Sequence, residues 1–145
     1  MSSESKQIFF PIGIPGFENL NNFLLIEEDT NLSRLNSLDN AEVGFIVLRP
    51  QMYFAEYLTQ VDINPDEAEL IDLEAGDKVD VWVILTFCLQ DVSKSTVNLK
   101  APLIVNPRTG KGIQLILDND KYSSRQLLLG NSSNGKETSQ KGAVG

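Results

Sequence analysis

The sequence predicts a mainly β fold, a single small antiparallel β-barrel-like domain with one or two short helices. Apolar residues recur mainly at every second position, which is the spacing of a strand with one buried face. The chain has 145 residues, a length that favours one domain with a core large enough to fold without a metal or a disulfide. Several strands in so small a domain must hide their edges, and a curled sheet does so.

The early strands are expected at residues 7–10, 23–27 and 43–49. The third is apolar on both faces, so we expect it in the middle of the sheet. The clearest alternation runs from Val79 to Gln90, where the odd-numbered positions are apolar and β-branched or aromatic residues suit a pleated surface. The even-numbered face of this strand is mixed, and we expect it to be half buried.

A further strand is expected from Val97 to Val105, whose odd-numbered positions are again apolar. Pro102 lacks the N–H that a sheet ladder requires, so it indicates a sheet edge or a bulge at this point. A turn-rich connection over residues 106–112 leads into an alternating run over residues 113–117. The two runs together predict a hairpin.

The helices are expected to be short. Asn64 and the proline after it combine an N-cap with a proline at the first helical position, and Glu67 supplies an acidic third residue. The segment that follows allows one or two turns, and Pro50 predicts another turn. We expect the domain to span residues 1–129, because residues 130–145 lack an apolar period and are typical of a disordered tail.

The composition is strongly acidic, with 12 Lys and Arg against 20 Asp and Glu and a formal net charge of −8. Such a surface repels nucleic-acid phosphates and anionic membranes, and long-range electrostatics favour a basic protein as partner. The N-terminal residues lack the features of a secretory signal, and no apolar stretch reaches the ~20 residues that span a bilayer. We therefore expect a cytoplasmic protein, monomeric when free, that binds neither nucleic acid directly nor membrane.

The residues that carry most enzyme chemistry are scarce. The chain has no histidine and one cysteine, Cys88, which excludes Ser-His and Cys-His nucleophiles, histidine-containing metal sites and an internal disulfide. Eight carboxylates lie between Asp62 and Asp80, and such a run is typical of a solvated acidic face. We expect no enzyme activity, no cofactor and no metal, with an enzyme that uses paired carboxylates as an open alternative.

The most distinctive stretch is Gly13-Ile-Pro-Gly-Phe-Glu18. Its proline and Gly16 suit the central positions of a type II turn, in which the glycine takes a positive φ. One interpretation displays Phe17 and Glu18 at the tip of this turn for a partner. The other interpretation, which we favour, packs Phe17 inward beneath a tight turn.

Four segments together carry a family resemblance. The stretch at residues 13–18 is similar to a G-x-P-G-F-E signature, and residues 35–39 with residues 44–50 are similar to an L-x-S-x-[ED]…F-x-V-x-x-P block. Residues 96–106 are similar to T-x-N-L-x-A-P-I-V-I-N, and residues 122–125 to Y-x-x-R. In this order and at this spacing, the segments resemble the flagellar assembly factor FliW family.

The resemblance implies a non-enzymatic partner switch in bacterial flagellum biogenesis. Proteins of this family bind the translational regulator CsrA, antagonise its repression of flagellin mRNA, and bind flagellin in the cytoplasm. The resemblance also implies a compact antiparallel β-barrel-like fold. Regulators of the CsrA type are small basic RNA-binding dimers, and the net charge of −8 suits such a partner. A small β-barrel nucleic-acid-binding module is the alternative function.

Several residues are candidates for contact with a partner. The acidic run at residues 62–80 would steer a basic protein, aromatic side chains would act as anchors of the kind that dominate interface hot spots, and polar side chains would project from the strand at residues 97–105. With the tip of the turn, the candidates are Phe17, Glu18, Tyr53, Phe54, Tyr57, Asp62, Glu67, Asn98 and Lys100.

Overall fold

The computed structural model describes residues 4–28, 32–57, 62–117 and 121–128. The helix α1 spans Pro65–Leu70, and short 3-10 helices span Pro50–Met52 and Val92–Lys94. The strands are β1 (Glu4–Phe9), β2 (Asn22–Glu27), β3 (Leu32–Ser37), β4 (Gly44–Leu48), β5 (Asp80–Thr86), β6 (Thr96–Val97), β7 (Leu103–Asn106), β8 (Lys111–Gln114) and β9 (Gln126–Leu127). The predicted tail at residues 130–145 lies outside the described residues.

The strands close into a barrel. They follow the order β4–β3–β2–β1–β8–β7–β5, and β5 pairs with β4 to complete the circuit of seven. The predicted mainly β, barrel-like fold class is therefore confirmed. The strands β6 and β9 continue from the β5 side of the sheet. One pairing departs from the antiparallel expectation, because β1 and β8 run parallel and meet at Phe9 and Lys111. These two strands are far apart in sequence, so no hairpin sets their relative direction.

Two apolar cores lie on opposite sides of the barrel wall. The lumen core draws residues from strands all round the barrel: Ile8, Phe10, Ile14, Phe23, Leu25, Leu35, Val47, Trp82, Leu103 and Val105. The outer core lies on the other face of β4, β5, β7 and β8: Leu48, Tyr57, Ile71, Val81, Val83, Leu85, Val97, Leu99, Ile104, Ile113 and Leu115. The even-numbered face of β5, expected to be half buried, thus places Trp82 inside the lumen at 2% exposure.

Charged side chains close one mouth of the barrel above Trp82. The Arg49 guanidinium lies 3.5 Å from a Glu27 carboxylate oxygen and 3.7 Å from one of Asp80. Lys6 lies 3.6 Å and 3.9 Å from the same two carboxylates. The Arg49 guanidinium also sits 4.2 Å from the centre of the Trp82 ring, which is a cation–π contact. These charges compensate one another at the point where the lumen core meets solvent.

The strand predicted across residues 97–105 is interrupted. β6 pairs Val97 with Leu85, whereas β7 pairs Leu103 with Trp82. Two residues of β5 therefore face five residues of the other segment, 98–102, which bulges away from β5. The Leu115 and Leu117 N–H groups, which follow β8, donate to the Pro102 and Lys100 carbonyls of this bulge. Pro102, which predicted an edge or a bulge here, is the last residue of this bulge. The predicted hairpin that follows is formed by β7 and β8. Leu103 pairs with Gln114 at one end of this ladder, and Asn106 pairs with Lys111 at the other.

Candidate protein-binding surfaces

The turn at Gly13–Glu18 lies against the second mouth of the barrel. The Phe17 N–H donates to the Ile14 carbonyl at 2.6 Å, and Gly16 has a φ of 90°, as the type II turn predicts. Gly13 also has a positive φ, 71°, and a Cβ at this position would lie 2.6 Å from the Glu18 Cα. Glycine is therefore required at the start of this turn by both conformation and space.

Phe17 combines features of both interpretations of the turn. Its ring packs edge-to-face on Phe45 with 5.5 Å between ring centres, yet the residue is 38% exposed. Glu18 is exposed, and its carboxylate accepts the Gly16 N–H at 3.0 Å. This hydrogen bond lowers the pKa of the Glu18 carboxyl. The role of both residues in partner contact stays a prediction.

Three predicted aromatic anchors lie around one groove of about 420 Å³. We call it the aromatic groove, and its main lining residues are Tyr53, Phe54, Tyr57, Leu99, Tyr122 and Gln126. The segment that carries the first three follows the 3-10 helix at Pro50–Met52, so the turn predicted at Pro50 positions them. Tyr53 is 37% exposed and Phe54 is half buried against the outer core.

Tyr57 lies at the floor of the aromatic groove with only 2% of its surface exposed. Its hydroxyl donates to the Leu99 carbonyl at 2.6 Å, and its ring packs edge-to-face on Tyr122 with 4.7 Å between centres. Burial, followed by the nearby Tyr122, raises the pKa of the Tyr57 hydroxyl well above its usual range. This side chain therefore supports the groove and offers a partner little surface of its own.

Asn98 and Lys100 lie in the bulge beside the aromatic groove, on either side of Leu99. The Asn98 Oδ1 accepts the Lys100 backbone N–H at 3.1 Å, an Asx-type turn that shapes the bulge. Both residues are half buried rather than fully exposed. The alternation of apolar residues predicted an exposed strand face for them, whereas in the structure they lie where the pairing with β5 is broken.

The acidic run forms a face around α1. Asn64 and Glu67 make the predicted capping box, because the Asn64 Oδ1 accepts the Glu67 N–H at 2.8 Å and the Glu67 carboxylate accepts the Asn64 N–H at 3.2 Å. The Glu67 carboxylate thus helps to start the helix. Asp62, Asp66 and Glu69 are exposed, and we call these three residues the acidic face.

The β7–β8 hairpin neutralises the C-terminal part of the acidic run. The Arg108 guanidinium donates to the Asp77 carboxylate at 3.1 Å, and Lys111 lies 2.6 Å from Asp72. The Arg108 hydrogen bond is the main cause that lowers the pKa of the Asp77 carboxyl, followed by the Glu74 backbone N–H. The carboxylates that remain for a partner are therefore mainly those of the acidic face.

The described residues contain no group of three or more His, Cys, Asp and Glu side chains arranged to hold a metal ion. In that same part of the chain, no helix has the length and apolar character needed to cross a membrane.

The FliW protein family model matches residues 1–128. This chain belongs to the FliW family. The flagellar assembly factor FliW of Caldanaerobacter subterraneus subsp. tengcongensis is 37% identical over 132 residues, which cover 88% of this chain and 85% of that protein. The Bacillus pumilus protein of the same name is 38% identical over 127 residues, 86% of each chain. A crystal structure of the flagellar assembly factor FliW matches with a TM-score of 0.75 at 31% identity over 85% of each chain.

The resemblance based on four motifs is therefore confirmed, and the motifs of this FliW-family chain can be placed. The G-x-P-G-F-E motif lies at a barrel mouth, and the T-x-N-L-x-A-P-I-V-I-N motif forms β6, the bulge and β7. The bulge and the Y-x-x-R motif meet in the aromatic groove through Leu99 and Tyr122. Tyr122 was not among the predicted site residues, although its place in the Y-x-x-R motif was a signal for it.

Proposed function

We propose that this FliW-family flagellar assembly factor acts in the cytoplasm as a non-enzymatic partner switch. It binds the translational regulator CsrA and antagonises repression of flagellin mRNA. It also binds flagellin, so that accumulated flagellin withdraws it from the regulator and restores repression. The observation that carries this proposal is the family match over residues 1–128.

The acidic face supports the part of the proposal that concerns CsrA. Asp62, Asp66 and Glu69 are exposed on and beside α1, in a chain with a net charge of −8. A basic RNA-binding partner is attracted to such a surface over the ~8–10 Å reach of electrostatics at physiological salt. The acidic face would therefore speed the encounter with the regulator more than it would slow dissociation.

The aromatic groove supports binding rather than catalysis. Its most buried polar group, the Tyr57 hydroxyl, is already engaged with the Leu99 carbonyl at 2.6 Å. The raised pKa of this hydroxyl keeps it protonated at neutral pH, so it is not a base. The groove walls are mainly aromatic and aliphatic, which suits the docking of apolar side chains from a protein partner.

Titration calorimetry of the purified chain against its host's CsrA and flagellin tests the proposal. We expect binding to each partner alone, and release of CsrA when flagellin is added to the preformed complex. A folded chain that binds neither protein would overturn the proposed function. Simultaneous binding of both partners without displacement would overturn the switch while leaving the two interactions in place.

Charge reversal tests the role of the acidic face. The Asp66→Lys and Glu69→Lys double variant should reduce the association rate with CsrA by about tenfold at low salt, because rim charges act mainly on association. The single variants Asp66→Lys and Glu69→Lys each carry one of the two reversals. The matched control for them is Glu42→Lys, which places one reversal in the exposed turn before β4. An equal effect from Glu42→Lys would show that net charge, and not the acidic face, attracts the regulator.

A further inference from the structure

The chain covers the outside of one half of its barrel and, among the described residues, leaves the other half bare. The outer core covers β4, β5, β7 and β8 with apolar side chains from the segments between β4 and β5 and after β8. On the outside of β1, β2 and β3, four apolar side chains belong to neither core: Phe9, Leu24, Ile26 and Leu38. We call the outward-pointing positions of residues 5–9, 22–26 and 34–38 the open face.

Strand pairing places the two most exposed of these side chains close together. Ile8 and Phe10 belong to the lumen core, so Phe9 between them points outward. Phe9 pairs with Asn22, and the Leu38 N–H donates to the Asn22 carbonyl at 2.8 Å. Phe9, which is 41% exposed, and Leu38, which is 50% exposed, therefore flank one residue and lie about 10 Å apart across the strands.

A second row of the open face lies next to the first. Gln7 pairs with Leu24, and Leu24 pairs with Asn36. Gln7 is exposed, whereas Leu24 and Asn36 are half buried. The row continues to the exposed Gly44 of β4, which pairs with Asn36 and has no side chain. The open face therefore combines apolar side chains with uncharged amides.

The open face is close to neutral in a chain with a net charge of −8. Its one charged position is Arg34, whose guanidinium lies 2.9 Å from the Glu28 carboxylate. Lys111 lies beside Phe9 in the β1–β8 pairing, and its ammonium lies 2.6 Å from the Asp72 carboxylate. The two cations at the open face are therefore compensated by carboxylates of the same chain.

Further charges lie beyond the strand ends, at the two mouths of the barrel. Glu18, Asp39 and Glu42 lie in the turns at one mouth. Lys6 and Glu27 lie 3.6 Å apart at the other mouth, among charges that compensate one another. The carboxylates at the first mouth repel an acidic segment. At the centre of the open face, a partner charge of either sign would lose its hydration without gaining an opposite charge.

We propose that the open face binds a segment of flagellin whose contacting side chains are apolar and uncharged. Phe9 and Leu38 are its anchors, because burial of exposed apolar surface is the main driving force of association. The exposed Gln7 amide lies between the apolar side chains and the lower strand ends, and it offers a donor and an acceptor to polar groups of the bound segment.

This inference deepens the proposed function and rests on it. The proposed function has two protein partners, and the basic regulator is attracted to the acidic face. The acidic face lies on and beside α1, which packs against β8, outside the open face. The uncharged open face therefore suits the other partner, flagellin. Displacement of the regulator then does not require that the two partners share contact residues.

Full-length monomeric host flagellin is the probe, and titration calorimetry measures its affinity for the full chain. Phe9→Thr and Leu38→Thr should each lower this affinity about fivefold or more, as truncation of an interface anchor does. Leu89→Thr is the matched control, because Leu89 is 86% exposed in the loop after β5, on the opposite side of the barrel from β2 in the strand order. Leu89→Thr should change flagellin affinity less than about twofold, and all three variants should keep CsrA affinity within about twofold.

Charge insertion tests the uncharged character of the bound segment. Gln7→Lys and Gln7→Glu should both weaken flagellin binding by about threefold or more, because a charge of either sign loses hydration in an apolar interface. Both changes are at an exposed position, so the fold should be retained. The affinity of the wild-type chain for flagellin should also vary less than about twofold between about 50 and 300 mM salt, since screened charges do not supply the binding.

The outcomes separate this inference from the proposed function. If the wild-type chain binds CsrA and flagellin but Phe9→Thr and Leu38→Thr bind flagellin unchanged, the open-face assignment is wrong and the partner switch survives. Opposite effects of Gln7→Lys and Gln7→Glu would overturn the uncharged character of the segment. Loss of CsrA binding instead of flagellin binding in the Phe9 and Leu38 variants would overturn the assignment to flagellin.

Two further results would also be decisive. Self-association of the free wild-type chain that Leu38→Thr abolishes, measured by analytical ultracentrifugation, would overturn the assignment in favour of a second copy of this chain. A wild-type chain that binds neither CsrA nor flagellin would instead overturn the proposed function.

Discussion

The Tyr57 hydroxyl donates a buried hydrogen bond of 2.6 Å to the backbone carbonyl of Leu99, 42 residues further along the chain. It joins the segment that follows the Pro50–Met52 helix to the bulge between β6 and β7. The bulge has lost its pairing with β5, and the buried Leu99 carbonyl needs another donor, which the Tyr57 hydroxyl supplies. The shape of the aromatic groove therefore depends on a contact between two segments that no strand pairing connects within the described part of the chain.

Tyr57→Phe should lower the free energy of unfolding by about 1–2 kcal/mol, because the Leu99 carbonyl keeps its burial and loses its donor. Urea denaturation measures the change. Tyr53→Phe is the matched control, since the exposed Tyr53 hydroxyl should contribute less than about 0.5 kcal/mol. Equal effects of the two substitutions would contradict the structural role assigned to Tyr57.

Gly13→Ala should be more destabilising than Gly16→Ala. Both glycines have positive φ, and an alanine in this conformation costs about 1–2 kcal/mol. At Gly16 an added Cβ meets no atom within 4 Å, whereas at Gly13 it lies 2.6 Å from the Glu18 Cα. We expect a further ~1–3 kcal/mol for Gly13→Ala from this overlap. Thermal or urea unfolding of both variants measures the difference, which a similar loss in the two would refute.

Arg49→Met should lower the free energy of unfolding by about 1 kcal/mol through loss of the cation–π contact with Trp82. The ion pairs of Arg49 add little, because they are partly exposed and screened by solvent. Trp82 is the one tryptophan of the chain, so its fluorescence reports both the local change and global unfolding. Arg34→Met is the control, because Arg34 pairs with Glu28 on the outside of the barrel. A larger loss from Arg34→Met would contradict the prediction.

The ionised Asp39 carboxylate should stabilise the folded chain at neutral pH and lose this contribution in acid. Its carboxylate accepts the Asn22 and Asn21 N–H groups, each at 2.9 Å, and the Asn22 bond is the first cause that lowers its pKa in the folded chain. The contribution is complete above the ordinary aspartate pKa of about 3.9 and is lost as the pH falls toward the lower folded pKa. The stability difference between wild type and Asp39→Asn should therefore be constant down to about pH 5 and shrink between about pH 5 and pH 2. A difference that stays constant over this range in urea titrations would contradict the prediction.

Alternation of apolar residues was enough to predict most strands, but it missed β3, the two-residue strand β9, and the break between β6 and β7. The strand β3 buries Ser33, Leu35 and Ser37 toward the lumen, and two buried serines conceal the alternation that defines a buried face. The odd-numbered positions from Val97 to Val105 are all buried, yet the segment forms two strands. A bulge preserves burial while it breaks the ladder, so burial pattern alone could not reveal it.

The candidate surfaces were predictable only in part. The acidic run and the capping of α1 depend on neighbouring residues, and local sequence identified them. The role of Tyr57 depends on Leu99 and Tyr122, which are distant in sequence, so its aromatic character alone suggested an anchor on the surface.

The two cores have a consequence for tolerance to mutation. All four residues of β7 are buried, because the lumen core lies on one side of the strand and the outer core on the other. Along β2 and β3, fully buried positions alternate with more accessible ones. A scan with charged residues should therefore find every position of β7 intolerant, whereas β2 and β3 should accept substitution at alternate positions. Among functional variants, substitutions should therefore be more frequent in β2 and β3 than in β7.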